Sequence, residues 1–289
     1  MIVQFIVNGL ITGILYSLLA IGFALVYNTT KLFHIAAAAL YVLAAFLFHL
    51  FAVTIGLSSL LSALLAIVFT MGVSLLMDIS VYRPLYRRNS SNDVSMIASI
   101  GIMIVVINMV SLLFGNETKV LKLATQRVYT WGGVMITTPQ LIQVTVGGVV
   151  ILLFLLFLWT NSHGLRFRAL SSDSSLYETV GYNTAATRNE VFLVSGAFLA
   201  LASCLTVYDV GLDTHMGMTM LINAMVAMIF GGVGRFGTCV VGGLSLGVLQ
   251  SITVYFFSSN WQNAVTFALL LLLLFLRPQG IAGYKQRSV

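Results

Sequence analysis

The sequence predicts an all-α integral membrane protein, a polytopic bundle of eight or nine transmembrane helices forming a single domain over residues 1–289. Hydrophobic residues make up 59% of the chain and charged residues 8%, with a mean hydropathy of +1.02, whereas soluble domains carry roughly 25% charged residues. The chain divides into apolar windows of about 20 residues, the length that crosses a hydrocarbon core of about 30 Å. The charged side chains all fall between those windows, as expected when one near the bilayer centre costs about 3 kcal/mol.

The windows run over 3–27, 33–55, 57–77, 94–114, 140–160, 191–208, 216–234, 237–257 and 261–276. Met1-Ile-Val-Gln-Phe5 has no basic region, and no small-residue cleavage site follows the first window, so that window is expected to remain as a helix rather than leave as a signal peptide. If the windows alternate, Lys31, Arg83, Arg87, Arg88, Arg166, Arg168, Arg188, Arg235, Arg277, Lys285 and Arg287 share one side, against Lys119, Lys122 and Arg127 on the other. The excess of Lys and Arg marks the cytoplasmic side. The N-terminus is then expected outside and the C-terminus in the cytoplasm. The window most open to a different reading is 216–234, because Gly231, Gly232 and Gly234 are able to break it into a half-helix; eight crossings follow if it only dips into the bilayer, nine if it spans.

The same residues exclude other classes. A net charge of +6 and a pI near 9.5 are spread over short clusters rather than a continuous stripe, which argues against a nucleic-acid partner. Cys204 and Cys239 lie in apolar stretches and read as packing residues; His34, His49, His163 and His215 show no metal-ligand spacing. With no charge inside a window, a carrier driven by a midplane carboxylate is disfavoured, and no nucleophile with a base or paired aspartates suggests an intramembrane protease. Gly232-Val-Gly234-Arg-Phe-Gly237 matches the dinucleotide fingerprint in letters only, since no acidic residue follows Asp213. It reads instead as a tight turn leading into Gly242, Gly243 and Gly247, small residues that permit close helix approach, as does Gly9-Leu-Ile-Thr-Gly13. No P-loop occurs, so ATP and Mg, if used, belong to a separate protein and no cofactor is expected on this chain.

Polar features then define candidate sites. The loop Asn161 to Glu190 is long and basic at its start, and Leu170, Leu176, Tyr177 and Val180 fit one face of a short amphipathic helix opened by Ser171, Ser172 or Asp173 and closed by Gly181. Such a helix either lies on lipid or docks in a partner's groove. Within the windows Asn8, Asn108 and Asn223, followed by Ser17, Thr219 and Thr12, are candidates for a translocation pathway, because buried amides and hydroxyls need partners. Hydrogen bonding between helices is the competing role for each. His34 stands at a window's end and fits either the pathway or helix packing.

At the long loop the sequence resembles the permeases of branched-chain amino acid ABC importers, the LivH family. The family pattern G-x-x-x-R-A-x-x-x-D-x7-G-x-N is met by Gly164, Arg168, Ala169, Asp173, Gly181 and Asn183. Further matches are Tyr82-Arg-Pro-Leu85, Ala98-Ser-Ile-Gly101, Met216-Gly217, Gly231-Gly-Val-Gly234 with Gly237 and Gly242-Gly243, and Arg277-Pro-Gln-Gly280. One departure is plain: where the family usually has N-F-A-H-G-E, this chain has His34-Ile-Ala-Ala-Ala-Ala39, so Ala37 and Ala38 replace the usual His and Gly. The resemblance implies the fold of type II importer permeases and a bacterial inner-membrane location. It implies that a second, LivM-like permease subunit completes the pathway, that a periplasmic substrate-binding protein delivers branched-chain or other apolar amino acids, and that two ABC ATPase subunits grip the inner loops. Arg168, Asp173, Glu178 and Gly181 are then the expected coupling residues, with Tyr82 to Arg88 as a further ATPase contact. Rival readings are the same machine with urea, short amides or other amino acids as cargo, an uncoupled channel or facilitator, and a membrane scaffold.

Overall fold

A computed structural model describes residues 2–88, 90–121, 127–131 and 133–276, with the side chains of Trp131 and Leu274 excepted. The basic closing motif Arg277-Pro-Gln-Gly280, Lys285, Arg287 and Lys122 lie outside the described residues. The helices are α1 (Ile2–Thr30), α2 (Ala37–His49), α3 (Ser59–Met77), α4 (Arg83–Arg87), α5 (Asn92–Phe114), α6 (Thr138–Thr160), α7 (Ser162–Ser172), α8 (Ser174–Thr179), α9 (Thr184–Asp209), α10 (Met216–Gly231), α11 (Thr238–Phe256) and α12 (Gln262–Leu276). Seven of the described helical segments are long and apolar enough to cross a membrane, and Met216–Gly231 is a shorter apolar helix. The protein is a polytopic helical membrane protein. At 16 residues α10 is about 24 Å long, short of a hydrocarbon core of about 30 Å. It ends where Gly232 (φ 112°) and Gly234 (φ 95°) make the tight turn into α11, a left-handed backbone that a side chain would oppose.

Two helices outrun their windows. The third span continues through a π-helical turn at Asp78–Tyr82 into α4, forming one run Ser59–Arg87, and α9 begins at Thr184 rather than at 191. Charged residues that hydropathy places in loops therefore sit on helices: Asp78 and Arg83 on one, Arg188 and Glu190 on the other. A second difference is a small antiparallel hairpin, β1 (Val128–Trp131) with β2 (Val134–Thr137), which holds the only strands among the described residues. Its strands are rich in β-branched and aromatic residues, but four residues each are too few to stand out beside the apolar windows.

The chain forms two compact units, one from Met1–Ala24, Lys122–Leu155 and Ile222–Val289, the other from Leu25–Leu121 and Leu156–Leu221. In the first, α1 and α11 approach through the glycines singled out above. A Cβ on Gly9 would lie 2.7 Å from Val248 Cα, one on Gly13 2.8 Å from Leu244 Cα, and one on Gly243 2.7 Å from Ser17 Cα. Cross-helix bonds become possible at that distance, as in the 3.0 Å bond from Ser17 Oγ to the Val240 carbonyl. Replacing Gly243 with alanine is expected to destabilise the fold by about 1–3 kcal/mol through overpacking against backbone. Gly72→Ala, where nothing lies within 4 Å, is expected to be neutral or stabilising. Thermal unfolding of the two variants in mild detergent distinguishes these outcomes.

In the second unit α2 is almost wholly buried against α3, α5 and α9. Hydroxyls on small residues again bind neighbouring backbone: Ser74 Oγ donates to Phe192 O at 2.7 Å, Ser203 Oγ to Tyr41 O at 2.7 Å, and Ser99 Oγ accepts from Ala36 N at 2.9 Å. Gly196 lets α9 lie against Ser74 and Met71 of α3, and Gly217 lets the start of α10 meet Ala38 O.

Candidate functional site

The residues of the long-loop motif turn out to be the joints of a helical module. Gly164 sits where α6 turns into α7, and a Cβ there would lie 2.6 Å from Leu158 Cα, so only glycine allows the turn to close so tightly. Asn161 caps α7 by accepting from His163 N at 3.1 Å, Asp173 caps α8 by accepting from Ser175 N at 2.9 Å and Leu176 N at 3.0 Å, and Asn183 caps α9 by accepting from Ala186 N at 3.1 Å. Each satisfies a helix-end donor that otherwise has no partner. Gly181, at φ +90°, supplies the left-handed turn between α8 and α9.

One expectation about this segment is corrected. Leu170, Leu176, Tyr177 and Val180 do not share a face: Asp173 adopts an extended conformation (φ −154°, ψ 108°) that splits the predicted helix into α7 and α8. Leu170 and Tyr177 are buried, whereas Leu176 is 60% exposed and Val180 65%. Tyr177 turns inward because its hydroxyl shares a 2.9 Å hydrogen bond with Thr187 and its ring stacks on Tyr182. The Arg168 guanidinium lies 4.9 Å from the centre of the Trp159 ring, a cation–π contact. Glu178 accepts from Thr184 Oγ1 at 2.9 Å, and His163 Nδ1 lies 2.9 Å from Glu190, tying α7 to α9.

The Asp173 cap is charge-assisted. Hydrogen bonds from the Leu176 amide, then from Ser175, hold its carboxyl below the ordinary carboxylate range. Because the folded-state pKa is depressed, this contribution is present above the unfolded value and is lost as pH falls through the folded one. Asp173→Ala is therefore expected to accelerate amide hydrogen exchange at Ser175 and Leu176, whereas Asp173→Asn, which keeps a capping oxygen, restores protection and removes its acid dependence.

Beside the module lies a buried charge cluster that hydropathy could not reveal. Asp78, fully buried, accepts from Arg188 Nη2 at 2.6 Å and from Arg83 Nη2 at 3.1 Å. Arg83 also bonds Asn189, and Arg188 lies over the Tyr86 ring at 4.9 Å. The Tyr82-Arg-Pro-Leu85 segment is thus structural at its first two positions. Tyr82 donates to Ser99 Oγ at 3.0 Å and shares a 3.0 Å hydrogen bond with His34 Nδ1, while His34 packs edge-on against the Phe192 ring.

The pathway candidates are divided between the units, Asn8 and Asn223 in one and His34, Asn108 and Thr219 in the other. Within each unit the candidates do not bond one another. Asn8 accepts from Gln4, which clasps both backbone groups of Met135. Asn108 is exposed and donates to Ile104 O of its own helix, and Thr219 is half-buried on α10. Asn223 belongs to a buried uncharged network whose hub is Gln250, a residue sequence reasoning passed over. Gln250 accepts from Tyr16 at 2.7 Å and donates to Asn223 at 3.1 Å and Thr266 at 2.6 Å, linking α1, α10, α11 and α12. The available signal was a lone glutamine amid 19 mostly apolar residues of α11. Among the described residues no group of His, Cys, Asp or Glu is arranged to hold a metal.

Seven described helical segments able to span a membrane, a capped helical pair and buried polar networks, one of them charged, describe a polytopic membrane protein. The family model for the permease component of branched-chain amino acid transport systems matches residues 5–274, and the chain belongs to that family. It is 28% identical to the high-affinity branched-chain amino acid transport system permease protein BraD of Pseudomonas aeruginosa over 97% of this chain and 95% of that one. Identity to LivH of Salmonella typhimurium is 28%, covering 96% and 94%, and to the probable LivH of Methanocaldococcus jannaschii 24%, covering 94% and 90%. Among solved structures, PsaBC from Streptococcus pneumoniae in complex with Fab superposes with a TM-score of 0.53 over 94% of this chain and 91% of that one, at 18% identity. That likeness extends to the fold.

Proposed function

We propose that this chain is the transmembrane permease subunit of an ABC importer for branched-chain or other apolar amino acids. The observation that carries the reading is the α7–α8 module: an inner face fixed by Phe167, Leu170 and Tyr177, and an outer face presenting Leu176 and Val180. An apolar knob on a rigid capped base fits a groove in a partner. Two ABC ATPase subunits supply that groove and carry ATP and Mg, this chain binding no cofactor itself. A LivM-like second permease completes the pathway and a periplasmic binding protein delivers the cargo. The Lys and Arg bias orients the N-terminus outside and the C-terminus in the cytoplasm of a bacterial inner membrane. Arg168, Asp173, Glu178 and Gly181 act by shaping and capping the module. Closure of the ATPases on it moves the pathway between outward and inward access as a rigid-body change. The uncharged network around Gln250 suits an apolar amino acid better than an ion.

The test is purification of the tagged chain in mild detergent with identification of the proteins that accompany it, followed by reconstitution and leucine uptake. Co-purification of a Walker-motif ATPase, with uptake that requires ATP and a binding protein, supports the reading. Recovery of the chain alone, with uptake that proceeds down a gradient without ATP, replaces it with a facilitator.

A further inference from the structure

Behind the module, within the second unit, a cavity of about 80 Å³ opens between the end of α1, α4 and the α7–α8 joint. Its wall holds the cations Lys31 and Arg188 together with Tyr86, Ser171, Ser172 and Ser174, and no carboxylate lines it. Arg188 is 7% exposed, and its Nε–H is buried without a partner. Asp78 takes up only Nη2 of Arg188 and is shared with Arg83, so the Nε–H face of Arg188 is left without a counter-charge. The Lys31 ammonium has a single approach to protein, 3.5 Å to Ser171 O, and the hydroxyls of Ser171, Ser172 and Ser174 make no hydrogen bond in the structure.

The backbone marks the same place. Lys31 is the one described non-glycine residue with positive φ, at 56°. Its N–H donates to Tyr27 O at 2.9 Å, so this left-handed turn ends α1 and leaves Lys31 in the cavity wall.

We propose that this cavity binds a phosphate group, with Lys31 and Arg188 Nε–H supplying charge-assisted hydrogen bonds and the three serine hydroxyls completing the shell. A tetrahedral oxyanion matches the size and the excess of donors over acceptors, and once bound it bridges the end of α1 to the base of the coupling module. The group comes either from an anionic lipid headgroup or from free phosphate in the cytoplasm, and the experiment separates the two.

The full chain is purified in mild detergent free of phospholipid, and its thermal unfolding is followed in sodium phosphate and in sodium chloride at equal ionic strength. It is then followed in nanodiscs of phosphatidylglycerol and of phosphatidylcholine. At tenfold saturation the midpoint is expected to rise by about 3 °C or more, and the rise is expected to vanish in Lys31→Asn, which removes the charge while tolerating the left-handed backbone. The Ser172→Ala/Ser174→Ala double variant, far from the buried ion cluster in its demands on folding, provides an independent second reading. A rise in phosphate buffer lost in the variants assigns the site to free phosphate; a rise only in phosphatidylglycerol, lost in the variants, assigns it to the lipid headgroup. No difference between phosphate and chloride or between the two lipids, or a rise that both variants retain, overturns the proposal.

Discussion

Replacing Asp78 with alanine is expected to destabilise the protein by about 3–5 kcal/mol, the cost of leaving buried cations without their counter-charge. The carboxylate is fully buried, and its two oxygens hold Arg188 at 2.6 Å and Arg83 at 3.1 Å. Removing it strands two guanidinium groups whose Nε–H donors already lack partners. The corresponding loss in Arg188→Met is expected to be smaller, because Asp78 keeps Arg83. In a double-mutant cycle the Asp78→Ala/Arg188→Met chain should regain part of the stability lost by Asp78→Ala alone, since one stranded cation has gone. Unfolding of the purified chain in mild detergent measures all three. Equal stability of Asp78→Ala and the parent chain would mean that water reaches the cluster and screens it.

The second large effect is expected on function with the fold left intact. Leu176→Asp combined with Val180→Asp places two charges on the outer face of α8, where both side chains are more than half exposed. Folding stability should change by less than about 0.5 kcal/mol, the usual range for surface substitutions. Coupling should fall at least about thirtyfold, the equivalent of losing a 2 kcal/mol hot spot from an apolar interface. ATP-dependent leucine uptake in proteoliposomes reads the coupling, and the unfolding midpoint reads the fold. Normal uptake by the double variant would show that α8 is not the docking surface. A parallel fall in the midpoint would trace the loss to folding instead.

Legibility from the sequence varied with the range of the interactions involved. A helix start at Ser171, Ser172 or Asp173 and a helix end at Gly181 were readable because a cap acts over three residues and a left-handed turn over one, and the structure selects Asp173. The small-residue faces at Gly9, Gly13, Gly243 and Gly247 were readable as a tendency, although nothing in their spacing says that α1 and α11 face one another. The single amphipathic helix expected over Leu170 to Val180 failed at Asp173. An N-capping residue both begins one helix and interrupts another, and the apolar spacing continues across the break. The extent of the third and sixth predicted windows was underestimated for a different reason: hydropathy penalises Asp78 and Arg188 individually and cannot register that each neutralises the other.

The sequence by itself determined the class of protein, the approximate positions of its spanning helices, the local stops and starts of the α7–α8 module, and membership in a family through motifs in fixed order. All of these rest on interactions within one helix or one turn, or on the transfer of a contiguous apolar segment out of water. Only the tertiary structure decided which polar groups meet. Asp78 finds Arg188 across 110 positions and Gln250 finds Tyr16 across 234. It also decided that Tyr177 turns inward while Leu176 faces out, and that Lys31 and Arg188 share one cavity wall. Those outcomes depend on how helices pack, and in a chain where nearly every helix is apolar on all sides, the hydrophobic pattern carries too little contrast to choose the facing surfaces.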